Sequence, residues 1–335
     1  MLSKAIKYCI LFTLSLLVAF FVAEVAFRIY SSFTLNYDVE MYKYAKKLKR
    51  KSDIPGLSHE HIPNKSAKLM GVKVSINSMG FRDDELPEEK DVDELRIMVV
   101  GSSATMGWGV ENDSVFTTLL EDELKTSFLE KQVTVVNAGV GNYNTVLEAI
   151  LFRQTYERVQ PDMVILHYAI NDAEDISPKS SNFFVRNSYL VAHFYLKIKQ
   201  LTYESEYNSL AEYYKATFAD DAPGWVASRK AVLEIKSVCE QNEWPFFVII
   251  QPDLHDFSKD SPQFDCHKIM NGFFNQNGIH AIDMFGPYAE ASSKDRTKLW
   301  VTAGDPHPNA LGHQLIFQAI LAKTKKTIAS QVSMN

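Results

Sequence analysis

The stretch MVVGSSATMGWGV, residues 98–110, sets the reading of the whole chain. Ile97 to Val100 are apolar without a break, and the run stops at Gly101, with Ser102 and Ser103 behind it. A strand with one wet face alternates polar and apolar residues, whereas a strand buried on both faces is apolar throughout. The run therefore reads as a buried strand that ends in a sharp turn. Two readings of the turn stand side by side. Ser102 or Ser103 caps the next element, or Ser103 is held out as a nucleophile.

Similar runs recur along the chain. LRIMVV (95–100), VTVVN (133–137), MVILHY (163–168), FFVII (246–250) and IHAID (279–283) are short, apolar and β-branched. Between them, Ser114 to Lys125, Thr145 to Arg158, Ala227 to Gln241 and Asn309 to Lys323 carry apolar residues at helical spacing. Alternating strand and helix predicts a parallel sheet with helices on both faces. Residues 176–222 interrupt the pattern with an aromatic, helix-prone insertion, readable as core, as a lid over a pocket or as a partner surface.

In such sheets, sites lie beyond the carboxyl ends of the strands. Four ends carry small or polar residues. Ser103 follows the first strand, Gly139 and Gly141 the second, Asn171 and Asp172 the third. Gln251 to Asp253 end the fourth. A serine beside the start of a helix gains N–H groups for a developing oxyanion. Exposed glycine N–H groups and the Asn171 amide are further donors, and tight turns are the plainer reading of both. Near the C-terminus, GDPHPNALGH (304–313) precedes an amphipathic helix. His307 is placed to act as general base, with Asp305 to orient it. A metal site through His307 and His313 is the competing idea, but no third ligand is evident.

Composition bounds the rest. The chain has 335 residues, 46% hydrophobic and 23% charged, with a net charge of −6 that argues against nucleic-acid binding. Its three cysteines, Cys9, Cys239 and Cys266, show no zinc or redox spacing. Lys4 and Lys7 precede sixteen uncharged residues, Tyr8 to Ala23, and the apolar segment continues past Glu24 to Phe27. About twenty residues suffice to cross a bilayer. The segment (residues 1–30) is expected to be an uncleaved anchor, with a cleaved signal peptide and a buried helix as the alternatives. Residues 31–70, polar and basic, are expected to be a juxtamembrane linker, with one domain over 71–330.

With these residues in view, the chain resembles the SGNH hydrolase superfamily, the GDSL-type esterases, over roughly residues 71–325. Gly101-Ser102-Ser103 matches the family's first block, with Ser102 in place of aspartate. NAGVGNYNT (137–145) matches the second, Ala169-Ile170-Asn171-Asp172 the third, and DPHPNALGH the fifth. NSMGFRDDE (77–85) is similar to a segment of membrane-anchored bacterial members. The resemblance implies a flavodoxin-like three-layer α/β/α sandwich, Ser103 as nucleophile and His307 as base. It implies an oxyanion hole of Ser103, Gly141 and Asn171, where a one-residue shift puts Asn142 in the place of Gly141. Asp305 lies two residues before His307 rather than the family's three. No cofactor is implied. The expected substrate is an ester-bearing small molecule or an acylated cell-envelope glycan. The domain is expected outside the cytoplasm, held by a single membrane pass. An O-acyltransferase with the same residues and a catalytically silent glycan-binding scaffold are the alternatives.

Overall fold

The computed structural model describes residues 4–334 apart from 88, 130, 176–182, 208–209 and 294. Part of the expected insertion, 176–182 and 208–209, thus lies outside the described residues. Five strands form the central sheet: β1 (Glu94–Gly101), β2 (Gln132–Gly139), β3 (Met163–Ala169), β4 (Phe246–Gln251) and β5 (His280–Asp283). Their order is β2-β1-β3-β4-β5, and every pair is parallel. This is the doubly wound, flavodoxin-like arrangement, whose order reverses between β1 and β3.

The unbroken apolar runs follow from a sheet covered twice. Ile97 and Val99 point into a core with α3 (Phe116–Ser127) and the C-terminal helix, Ala310–Met334. Met98 and Val100 point the other way, onto Thr145–Val159, Pro223–Gln241 and Pro262–Gln276. All eight residues of β1 are buried.

The N-terminal third departs from expectation at one place. α1 (Lys4–Phe33) is, among the described residues, the one helix long and apolar enough to cross a membrane. The next residues do not form a linker. α2 (Tyr37–Lys47) and two hairpins, Lys49–Lys51 with His59–His61 and Ser66–Leu69 with Val72–Ser75, fold against the end of β1. Tyr44, Leu48, Leu69 and Val74 share a small core with Met106 and Trp108. The second hairpin alternates buried and exposed residues and turns through Met70 and Gly71, both at positive φ (48° and 86°), as a tight two-residue turn requires. Its lysines face water, so composition hides its buried half.

Candidate active site

β1 ends at Gly101, and Ser103 opens a one-turn helix, Ser103–Met106. The turn is tight: a Cβ on Gly101 would lie 2.0 Å from Thr105 Oγ1. Ser102 is buried and makes no capping bond. The Ser103 hydroxyl instead lies 2.8 Å from His307 Nε2, a residue 204 positions away. His307 Nδ1 lies 2.5 Å from Asp305 Oδ1. Asp305 Oδ2 accepts a second bond from Trp108 Nε1, at 2.8 Å. A carboxylate only accepts, so Nδ1 of His307 carries the proton and Nε2 offers its lone pair to the serine. Burial pushes the Asp305 carboxyl upward, but the donors from His307 and Trp108 prevail and hold it below its usual range. The Asp305 carboxylate is therefore ionised, and it holds the imidazole with Nε2 toward the Ser103 hydroxyl.

Asn309 explains why this corner is rigid. Its Oδ1 accepts the N–H groups of Leu311 and Gly312, capping the C-terminal helix. Its Nδ2 donates to the carbonyls of Lys298 and Trp300. The short hairpin Trp300–Thr302 with Asp305–Pro308 is thereby pinned, and His307 with it. His313 is fully buried and accepts the Phe116 N–H through Nδ1, at 3.2 Å. Burial, then the neighbouring His167, Arg82 and His307, push its pKa down to about 3, so it stays neutral. It belongs to the core and does not face His307 as a second ligand would.

The expected oxyanion donors fare differently. Asn171 is exposed at the carboxyl end of β3, in the turn Ile170–Ala173, while Asp172 folds back to accept the Ala169 N–H. The Gly141 N–H is already used: it donates to the Tyr44 hydroxyl at 2.9 Å. The Gly141 carbonyl accepts from His59 Nε2 (3.0 Å) and Lys49 Nζ (3.3 Å). In a trans peptide the N–H of the next residue points opposite to the carbonyl. Clamping the Gly141 carbonyl thus turns the Asn142 N–H away from Lys49 and His59. Asn142 is exposed and has φ 68°. The Gly141 N–H is thus committed to Tyr44, and the shifted register would use the Asn142 N–H instead.

Several residues at the site carry no sequence signal. Tyr37 stacks on the His307 ring at 5.9 Å. His61 Nδ1 bonds the Gly80 carbonyl, so its Nε2 accepts the Tyr44 hydroxyl, and the chain Gly141 to Tyr44 to His61 to Gly80 runs in one direction. Burial, opposed by the bond to the Gly80 carbonyl, pushes His61 down to about 4, and burial pushes Lys49 down to about 7. Beneath Ser103, Thr105, His167, Gln251 and Tyr288 form a buried chain of hydrogen bonds. The segment 77–85 had a visible motif and a structural use. Arg82 is buried and donates to the carbonyls of Met106, Gly107 and Val110, fixing the exit of the serine turn.

No curated protein matches this chain. Solved structures are similar at low identity. An alpha/beta hydrolase from the metagenome of Lake Arreo, Spain, is 16% identical over 69% of this chain and 95% of its own, with a TM-score of 0.47. An acetyl xylan esterase is 14% identical over 68% and 98%, TM-score 0.45. A two-domain esterase active on acetylated mannans is 16% identical over 70% and 49%, TM-score 0.44. The model of the GDSL-like lipase/acylhydrolase family matches residues 99–315, from β1 into the C-terminal helix. That match spans more than half of the sequence, so the chain belongs to the GDSL-like lipase/acylhydrolase family and is an ester-hydrolysing enzyme.

Proposed function

We propose that Ser103 attacks the carbonyl of a carboxylic ester with His307 as base and Asp305 as the orienting carboxylate. One observation carries the reading: serine, histidine and aspartate lie in series at 2.8 and 2.5 Å, with a second donor holding the aspartate. In the first half-reaction the Ser103 proton passes to His307 Nε2 as Oγ bonds the carbonyl carbon. The tetrahedral oxyanion is received by the N–H groups of Ser103 and Asn142 and by the Asn171 amide. The proton then goes to the departing alkoxide, leaving an acyl-serine. In the second half-reaction His307 takes a proton from water as the water oxygen attacks the acyl carbon, then returns it to Ser103 Oγ as the bond to the serine breaks and the acid leaves. An intact series of this kind speaks against a silent scaffold.

The substrate we assign is an ester carried by an envelope glycan or other acylated molecule, outside the cytoplasm. Retention of α1 as an anchor is supported by its use in the fold. Glu24 accepts the Ser188 hydroxyl and the N–H groups of Tyr189 and Leu190, so loss of α1 would leave a helix start uncapped.

The test is labelling with a fluorophosphonate alongside turnover of an aryl acetate. Wild-type protein is expected to label at Ser103, and Ser103→Ala to lose both label and turnover with an unchanged circular dichroism spectrum. Equal labelling of the variant would remove Ser103 from the mechanism.

A further inference from the structure

The site is joined to the anchor without a spacer. Glu24 is the first charged residue after the sixteen-residue apolar run, which places it near the boundary of the hydrocarbon layer. It caps the insertion helix Tyr189–Glu206 through Tyr189 N–H (3.0 Å) and Leu190 N–H (3.0 Å). Arg28, one turn along α1, donates to the Asn187 carbonyl and lies 4.4 Å over the Tyr189 ring. One turn further along that insertion helix, His193 Nδ1 meets Asp38 Oδ2 at 3.1 Å and its ring meets Phe27 at 5.3 Å. Asp38 adjoins Tyr37, whose ring stacks on His307. Contacts joined by short stretches of chain therefore link Glu24 to the imidazole beside Ser103.

The same insertion leaves aromatic side chains uncovered. Phe183 and Phe184 are 71% and 67% exposed, Phe194 55% and Tyr195 40%. They belong to the segment that docks on α1, whose own apolar side chains are exposed as well. Aromatic rings beside a membrane span sit well at head-group depth.

Resting on the esterase reading above, we propose that this site works on membrane-resident amphiphiles whose ester lies close to the lipid head groups. Phe183, Phe184, Phe194 and Tyr195 rest in that interface and hold Ser103 and His307 over it. A site on a flexible stalk would favour esters projecting far from the bilayer. This one favours esters near its surface.

The experiment uses the full chain in phosphatidylcholine vesicles. One substrate carries an O-acetylated sugar directly on a dialkyl lipid. The other inserts a ten-proline spacer, about 31 Å at ~3.1 Å per residue. A water-soluble aryl acetate reports basal activity. The direct lipid is expected to be cleaved at least about tenfold faster than the spaced one, because the ester and site share one surface layer. Phe194→Ser with Tyr195→Ser is expected to lower the rate on the direct lipid several-fold and leave the aryl acetate rate unchanged. Normal aryl acetate turnover with equal or faster cleavage of the spaced lipid would overturn this inference alone. No aryl acetate turnover by the wild type would overturn the esterase reading and this inference together.

Discussion

Tyr44 gives the site a single hydroxyl, and that hydroxyl holds the Gly141 peptide that precedes Asn142. Tyr44→Phe removes it while keeping the ring against Trp108. The expected result is a fall in kcat of about tenfold with little change in KM, since one loosened oxyanion donor weakens the transition state and not substrate binding. Steady-state kinetics on the aryl acetate decides it, and a pure KM effect would contradict it. Asp305→Asn keeps the shape but changes which nitrogen of His307 carries the proton. A loss of roughly 10²–10⁴ in kcat is expected, with the melting temperature nearly kept. At this scale the sequence was informative where chemistry clusters at strand ends: Ser103, His307 and Asp305 meet as their positions suggested. Tyr37, Tyr44, Lys49 and His59 were silent, because each reaches the site from a distant segment whose own pattern is polar.

Strands buried on both faces announce themselves, as β1, β3 and β4 do; 279–283, read as another buried run, is a strand at the sheet edge with only Ile282 buried. The hairpins before β1 were not, since half of each strand faces water and lysines dominate the count. Their attachment is tested through Arg82, whose guanidinium holds three buried carbonyls. Arg82→Met leaves those carbonyls without their donor, and urea unfolding is expected to show a loss of roughly 3 kcal/mol. The helix Thr145–Val159 carries the opposite case. Glu148 is fully buried, and neither carboxylate oxygen has a hydrogen-bond partner among the described residues. Burial, with the Asp172 charge added, pushes its pKa well up. A folded-state value above the unfolded one means that the native state holds a proton the unfolded chain gives up. Its contribution to stability is therefore lost as pH rises above the unfolded value, near 4.3. Glu148→Met removes that loss. The gain in melting temperature is expected to be small at pH 4 and to grow toward pH 8, and a gain independent of pH would contradict the account.

Across the whole molecule, the distribution of function between segments is uneven. The end of β1 supplies Ser103 and the hairpin before the C-terminal helix supplies His307, while α2 and the earlier hairpins clamp Gly141 and the insertion helix ties the body to α1. Sequence periodicity speaks about elements one at a time, so it gave the layers and missed this division. It also placed residues 31–70 outside the body of the protein, where contacts between distant segments place them inside it.

The 204 positions that separate Ser103 from His307, two residues far apart in synthesis, carry a consequence for biosynthesis. The first of these residues leaves the ribosome on the earliest sheet strand and the second only on the last hairpin, ahead of the closing helix. On the mechanism proposed above, an unfinished chain holds a serine without its base. On that mechanism hydrolytic power awaits synthesis of the hairpin that carries His307, and a chain cut short before it is expected to stay inert.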